Sequence, residues 1–100
     1  MPVVFEARIR KLCLSLPGTT ETASWGHPNF TAGRIYAALE NYHDRPSLCV
    51  LASPEEQSFL LQDEHCFVPP YVGNKGWIGV WLDARPSWAL HARAAEAASL

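Results

Sequence analysis

Ser53-Pro54-Glu55-Glu56 (SPEE) has the pattern of a helix start, and its position in the chain decides the predicted fold. A serine at the N-cap accepts a backbone hydrogen bond, and a proline suits the first helical position. A glutamate three residues after the serine completes a capping box. We predict a helix from this point to about Asp63. Because strand patterns lie on both sides of it, this helix separates two groups of strands.

Before the SPEE helix, the sequence predicts one helix and three strands. The first segment has apolar residues at helical spacing, namely Phe5, Ile9, Leu12, Cys13 and Leu16. Pro17 and Gly18 end this helix, because proline cannot continue it and glycine favours the turn. The predicted strands are Asn29 to Thr31, Ile35 to Glu40, with Ile35, Ala37 and Leu39 on one face, and Ser47 to Ala52. The predicted connections are the irregular segment Thr19 to Pro28, the turn Ala32-Gly33-Arg34 and the polar loop Asn41 to Pro46.

After the SPEE helix, the sequence predicts two strands and a last helix. The extended segments are Phe67-Val68 and Trp77 to Leu82, the second with Ile78, Val80 and Leu82 on one face and Trp77, Gly79 and Trp81 on the other. An alanine-rich helix opens at Arg85-Pro86-Ser87 and has no stop signal before Leu100, which indicates a chain cut inside or just after this helix. The order α-β(3)-α-β(2)-α predicts one α+β domain over residues 1–100, with helices covering an antiparallel sheet.

Composition excludes several classes of protein. Apolar residues make up 48% of the chain and charged residues 18%, which excludes intrinsic disorder. No apolar run approaches the roughly 20 residues of a membrane span, and the charged N-terminus is not a signal peptide. Three cysteines without close spacing are typical of reduced thiols, so we expect a cytoplasmic protein without a membrane. The net charge of −2 lacks the basic excess typical of nucleic-acid binders, so such a role would need a local patch.

The segment Gly73-Asn74-Lys75-Gly76 is open to three interpretations. A phosphate loop needs a different glycine spacing and a following helix, whereas a strand follows here. A tight turn would explain the glycines, which accept positive φ. A DNA-reading wing is the third interpretation, in which an exposed Lys75 contacts an anion.

Other chemistry-bearing residues form no recognisable motif. The histidines and cysteines lack the paired spacing of a metal site, no serine lies in a nucleophile elbow, and no acid and base pair stands out. We therefore predict no metal, no cofactor and no enzymatic activity. His27 is expected to cap backbone groups in a proline-bent loop, with a role in binding as the alternative. The many aromatic residues indicate core packing or a cleft that stacks a ring.

Four stretches together resemble the MmcQ/YjbR family of small bacterial proteins: Leu14 to Glu21, Trp25 to Phe30, Pro70 to Gly73, and Gly76 to Asp83. The resemblance implies an α-β(3)-α-β(2)-α fold, shared in outline with type III secretion chaperones. It also implies DNA binding through hairpins that resemble a double wing. The second wing would be Tyr71 to Leu82, with Lys75 at its turn.

The preferred interpretation is a cytoplasmic, non-enzymatic DNA-binding domain. The alternatives are a protein-interaction or chaperone-like module, and a small-ligand domain with an aromatic pocket near Trp25 to Phe30 and Trp77. The predicted contact residues for nucleic acid or ligand are Trp25, His27, Asn29, Arg34, Tyr71, Lys75 and Trp77.

Overall fold

The computed structural model describes residues 3–24, 27–42, 45–70, 75–82 and 88–99. Its elements are α1 (Val3–Leu14), β1 (Thr20–Ser24), β2 (His27–Ala32), β3 (Arg34–Tyr42), β4 (Arg45–Leu51), α2 (Pro54–Leu60), β5 (Cys66–Phe67), β6 (Trp77–Trp81) and α3 (Trp88–Ser99). The six strands form one sheet in the order β1-β2-β3-β4-β6-β5, and every neighbouring pair is antiparallel. The α+β class predicted from the sequence is confirmed.

Strand β1 lies where the sequence predicted an irregular connection, so that prediction was wrong. Thr20–Ser24 pairs along its length with β2, which begins at His27 rather than Asn29. The strand is at the sheet edge and is mostly exposed, so it lacks the apolar alternation by which strands are recognised. Its Glu21 accepts hydrogen bonds from Arg10 of α1 at 2.6 and 2.9 Å, which fixes the edge strand to the helical layer.

The β3–β4 hairpin extends further than predicted, and a bulge lies where β3 pairs with β2. Asn41 pairs with Pro46 and Tyr42 with Arg45, so most of the predicted polar loop is strand. Between β2 and β3 the register shifts by one residue, because Phe30 pairs with Ala37 but Thr31 pairs with Ile35. The extra residue reverses the alternation of β3. Ile35 is therefore 44% exposed and does not share the buried face of Ala37, contrary to the prediction.

All three helices contribute to one core on a single face of the sheet. The apolar stripe predicted for α1 is confirmed, since Ile9 and Cys13 are fully buried. The buried residues that form this core are Ile9, Cys13, Phe30, Tyr36, Ala37, Leu39, Leu48, Val50, Leu60, Ile78, Val80, Leu82, Ala94, Ala95 and Ala98. The strand residues of this set mark the covered face of the sheet. None of the described helices is long and apolar enough to cross a membrane.

Helix α2 begins as the SPEE sequence predicts, but the side chain of Glu56 does not make the capping-box bond back to Ser53. The backbone N–H of Glu56 donates to Oγ of Ser53 at 3.2 Å, which confirms the N-cap. The carboxylate of Glu56 instead accepts from Arg93 of α3 at 3.0 Å, so it joins two helices. The helix ends at Leu60, three residues before the predicted end at Asp63. The predicted start of the last helix at residues 85–87 lies outside the described residues.

Candidate functional site

The face of the sheet opposite the helical layer, called here the outer face, carries a groove. Strand register places Asn29, Ala38 and Cys49 side by side on this face. These three residues line the floor of the groove. The groove has a volume of about 310 Å³ and is lined by Asn29, Ile35, Ala38, Glu40, Tyr42, Cys49 and Trp77.

An aromatic cluster lies beside the groove. The ring of Phe67 stacks on that of Trp81, with ring centroids 3.9 Å apart and planes inclined by 16°, and meets Tyr42 edge-on at 5.5 Å. The guanidinium of Arg45 lies 3.8 Å from the centroid of Trp81. Two planar groups this close to one ring must occupy opposite faces, so the indole lies between Phe67 and Arg45. The cluster holds Tyr42 in place as a wall of the groove.

One carboxylate supplies the charge of this groove. Oε2 of Glu40 lies 3.6 Å from Nε2 of His27. Burial, followed by the proximity of Cys49 and Glu40, raises the pKa of Tyr42 to about 12. Burial likewise raises the pKa of the Cys49 thiol to about 11. The phenol and the thiol are therefore uncharged at neutral pH, and Glu40 is the one carboxylate among the described lining residues.

A second cleft, the hairpin cleft, lies where two turns of the sheet approach α2 and α3. Its volume is about 500 Å³, and its lining residues are Arg34, Leu51, Ala52, Ser53, Glu56, Lys75, Ala97 and Ala98. Arg34 follows the β2–β3 turn, where Gly33 has φ +80°. Lys75 belongs to the connection between β5 and β6, on a different hairpin. Both side chains are exposed.

Backbone contacts fix the position of Lys75. The next residue, Gly76, has φ +97°, and its carbonyl accepts a 2.8 Å hydrogen bond from the N–H of Ala52. The carbonyl of Trp77 accepts another from the side chain of Gln57 in α2 at 3.0 Å. Gly76 thus has the positive φ that a tight turn would need, and its carbonyl joins the segment before β6 to the segment before α2. Gly73 and Asn74 lie outside the described residues.

The predicted contact residues divide between the two regions. Asn29 and Trp77 line the outer-face groove, and His27 lies beside it. His27 is the first residue of β2 and faces Glu40, so the prediction that it caps a loop was wrong. Arg34 and Lys75 line the hairpin cleft. Trp25 and Tyr71 lie outside the described residues.

Sequence reasoning missed several groove residues, among them Glu40, Tyr42 and Ile35. Cys49 was also missed; it is 3% exposed and lies on the outer face. A signal was present in β3 and β4, where small residues and a carboxylate occupy the positions between the large apolar ones. Ile35 could not be found this way, because the bulge that turns it outward leaves no mark in the alternation.

The described residues contain no group of three or more potential metal ligands. Glu40 and His27 are the nearest approach to such a set on the outer face. A catalytic metal site usually has three protein ligands, so this pair alone does not make one.

Comparison with known proteins agrees with this architecture. The YjbR family model matches residues 14–98. A search of curated proteins finds no match to the chain. The family match begins in α1, ends in α3 and includes both groups of strands, so the chain belongs to the YjbR family.

Proposed function

We propose that the protein is a non-enzymatic DNA-binding domain that contacts phosphates through Arg34 and Lys75 in the hairpin cleft. The observation that carries the proposal is the approach of these two cations from different hairpins to one cleft. This arrangement supports a double-wing mode of binding, in which hairpin turns reach the nucleic acid. Contacts to phosphate position a protein on DNA without reading its sequence.

The charge balance of the hairpin cleft favours an anion. Neither Arg34 nor Lys75 forms an ion pair with a described residue. The carboxylate of Glu56 also lines the cleft, but it is bound to Arg93. The two uncompensated charges of the described lining are therefore positive. Because the whole chain carries −2, we expect weak binding that is sensitive to salt.

The state of the thiols argues against catalysis by a cysteine nucleophile. Burial raises the pKa of Cys13, Cys49 and Cys66 to about 11 in each case. Thiols with such pKa values are protonated at neutral pH and are poor nucleophiles. All three are free cysteines, which also supports a reducing, cytoplasmic location.

Fluorescence anisotropy of a short labelled duplex over a series of salt concentrations tests the proposal. Lys75→Ala and Arg34→Ala should each weaken DNA binding, and the loss of affinity should be the same for every DNA sequence. Each should also lower the slope of log K against log[salt] by about one phosphate contact. Lys11→Ala removes an exposed cation from α1, outside the cleft, and should leave the slope unchanged.

Two results would overturn the DNA proposal. One is an absence of binding by the wild-type protein at low salt. The other is an equal loss in all three variants, which would mean that net charge and not the hairpin cleft determines binding.

A further inference from the structure

The outer-face groove is unsuited to nucleic acid and requires a separate explanation. Its described lining includes one carboxylate, Glu40, and no lysine or arginine. A phosphate backbone would be repelled there. The outer-face groove therefore favours a cationic ligand, whereas the hairpin cleft favours an anion.

Asn29 gives the groove a polar side chain that bonds to no described residue. Its side chain is 7% exposed and lines the floor. No residue in the described part of the chain forms a hydrogen bond with its amide. The amide is not among the buried polar atoms that lack a partner, so it is open to water. A bound molecule that displaces this water can form a hydrogen bond with Asn29.

Glu40 is also incompletely satisfied. Its distance of 3.6 Å from His27 exceeds that of a hydrogen bond. Within the described ranges, no donor bonds to the carboxylate of Glu40, which is 30% exposed. A charge-assisted hydrogen bond from a ligand is stronger than a neutral one. Glu40 and Asn29 together thus present acceptors to a cationic head group.

The rest of the groove is apolar and aromatic. Ile35 and Trp77 belong to the lining along with Ala38 and Cys49. An indole attracts cations as well as apolar groups. The volume of about 310 Å³ lies at the low end of the range for ligand pockets, which is about 300–1,000 Å³.

We propose that the outer-face groove binds a small organic cation, in which an ammonium or amidinium group is attached to a compact apolar body. Glu40 and Asn29 hold the charged head, and Trp77 and Ile35 contact the apolar body. The proposal is independent of DNA binding, because the two regions share no described lining residue.

Three probes of similar shape test the proposal by NMR titration of ¹⁵N-labelled protein: benzylamine, which is cationic, benzyl alcohol, which is neutral, and benzoate, which is anionic. Benzylamine should cause saturable shifts at the outer-face residues of β2, β3, β4 and β6. Benzyl alcohol should bind about tenfold more weakly, since it lacks the charged interaction. Benzoate should not bind.

Matched variants identify the residues responsible. Glu40→Gln should weaken benzylamine binding about tenfold and leave benzyl alcohol binding unchanged. The control, Glu96→Gln, removes the same charge from an exposed position of α3 and should leave the binding of both probes unchanged. Ala38→Leu should fill part of the groove and abolish the binding of benzylamine and benzyl alcohol. Arg34→Ala should leave benzylamine binding intact, whatever its effect on DNA.

Three outcomes would overturn the proposal. They are the absence of saturable shifts with benzylamine, equal affinities for the three probes, and a Glu40→Gln variant that binds benzylamine as the wild-type protein does. Because Glu40 is partly exposed and buries no apolar surface in the core, this last variant remains informative even if Ala38→Leu fails to fold.

Discussion

The ring of Phe67 lies over Gly79, its direct partner across strands β5 and β6. A Cβ atom at residue 79 would overlap the ring. Because Gly79 has no side chain, Phe67 has the space in which it stacks on Trp81. This glycine is needed for close packing within a strand and not for a turn.

Gly79→Ala should destabilise the protein by about 1–3 kcal/mol, because the added methyl group displaces Phe67. The free energy of unfolding in urea measures the loss. In a Phe67→Ala background the same substitution should cost much less, since the two residues are in contact. Equal costs in the two backgrounds would show that Phe67 is not the obstacle.

Gly76→Val should also destabilise the protein, by about 1–3 kcal/mol. At φ +97° a side chain is strained, and its Cβ would lie 3.1 Å from the carbonyl oxygen of Ala52. Gly33→Val provides the comparison, because Gly33 has φ +80° but no atom within 4 Å of a Cβ. Urea denaturation should show a smaller loss at Gly33. If the two losses are the same, crowding against Ala52 plays no part.

Ser53→Ala should lower the free energy of unfolding by about 1 kcal/mol, because the N–H of Glu56 loses its acceptor. Ser58→Ala is the control, since Ser58 is exposed within α2 and alanine is favourable inside a helix. Thermal melting compares the two variants. An unchanged melting temperature for Ser53→Ala would mean that the cap does not stabilise α2.

Alkaline pH should destabilise the protein. Burial raises the pKa of the Cys13, Cys49 and Cys66 thiols from 9.0 to about 11. The native state then retains protons that the unfolded state releases. This contribution to stability is complete below pH 9 and is lost as pH rises toward 11. Urea denaturation across this window should give a falling free energy of unfolding.

Cys66→Ala is the variant for the alkaline experiment, because Cys66 is only half-buried. The decline between pH 9 and pH 11 should become shallower in this variant, since one titrating thiol is gone. A free energy of unfolding that stays constant or rises across the window would contradict the predicted direction.

Local sequence patterns predicted the elements that have a buried face. The alternation of Ile78, Val80 and Leu82 placed β6 correctly, and all three side chains are fully buried. Strand β1 was not predicted, since an edge strand without a buried face has no such alternation. The outer-face groove was only partly predicted, because it depends on which residues lie opposite one another across four strands. That register, including the bulge before Ala37, is a property of the assembled sheet.

The division of the sheet into a covered face and an outer face places its positions under different evolutionary constraints. A change at Ala37 or Val50 disturbs the core and is selected against through stability. A change at Ile35, Glu40 or Trp77 alters the groove and leaves the core packing in place. Descendants of one ancestral chain could thus keep the same framework while exchanging the molecule that they recognise. Substitutions at these outer positions should accordingly change the ligand proposed for the groove while the fold is kept.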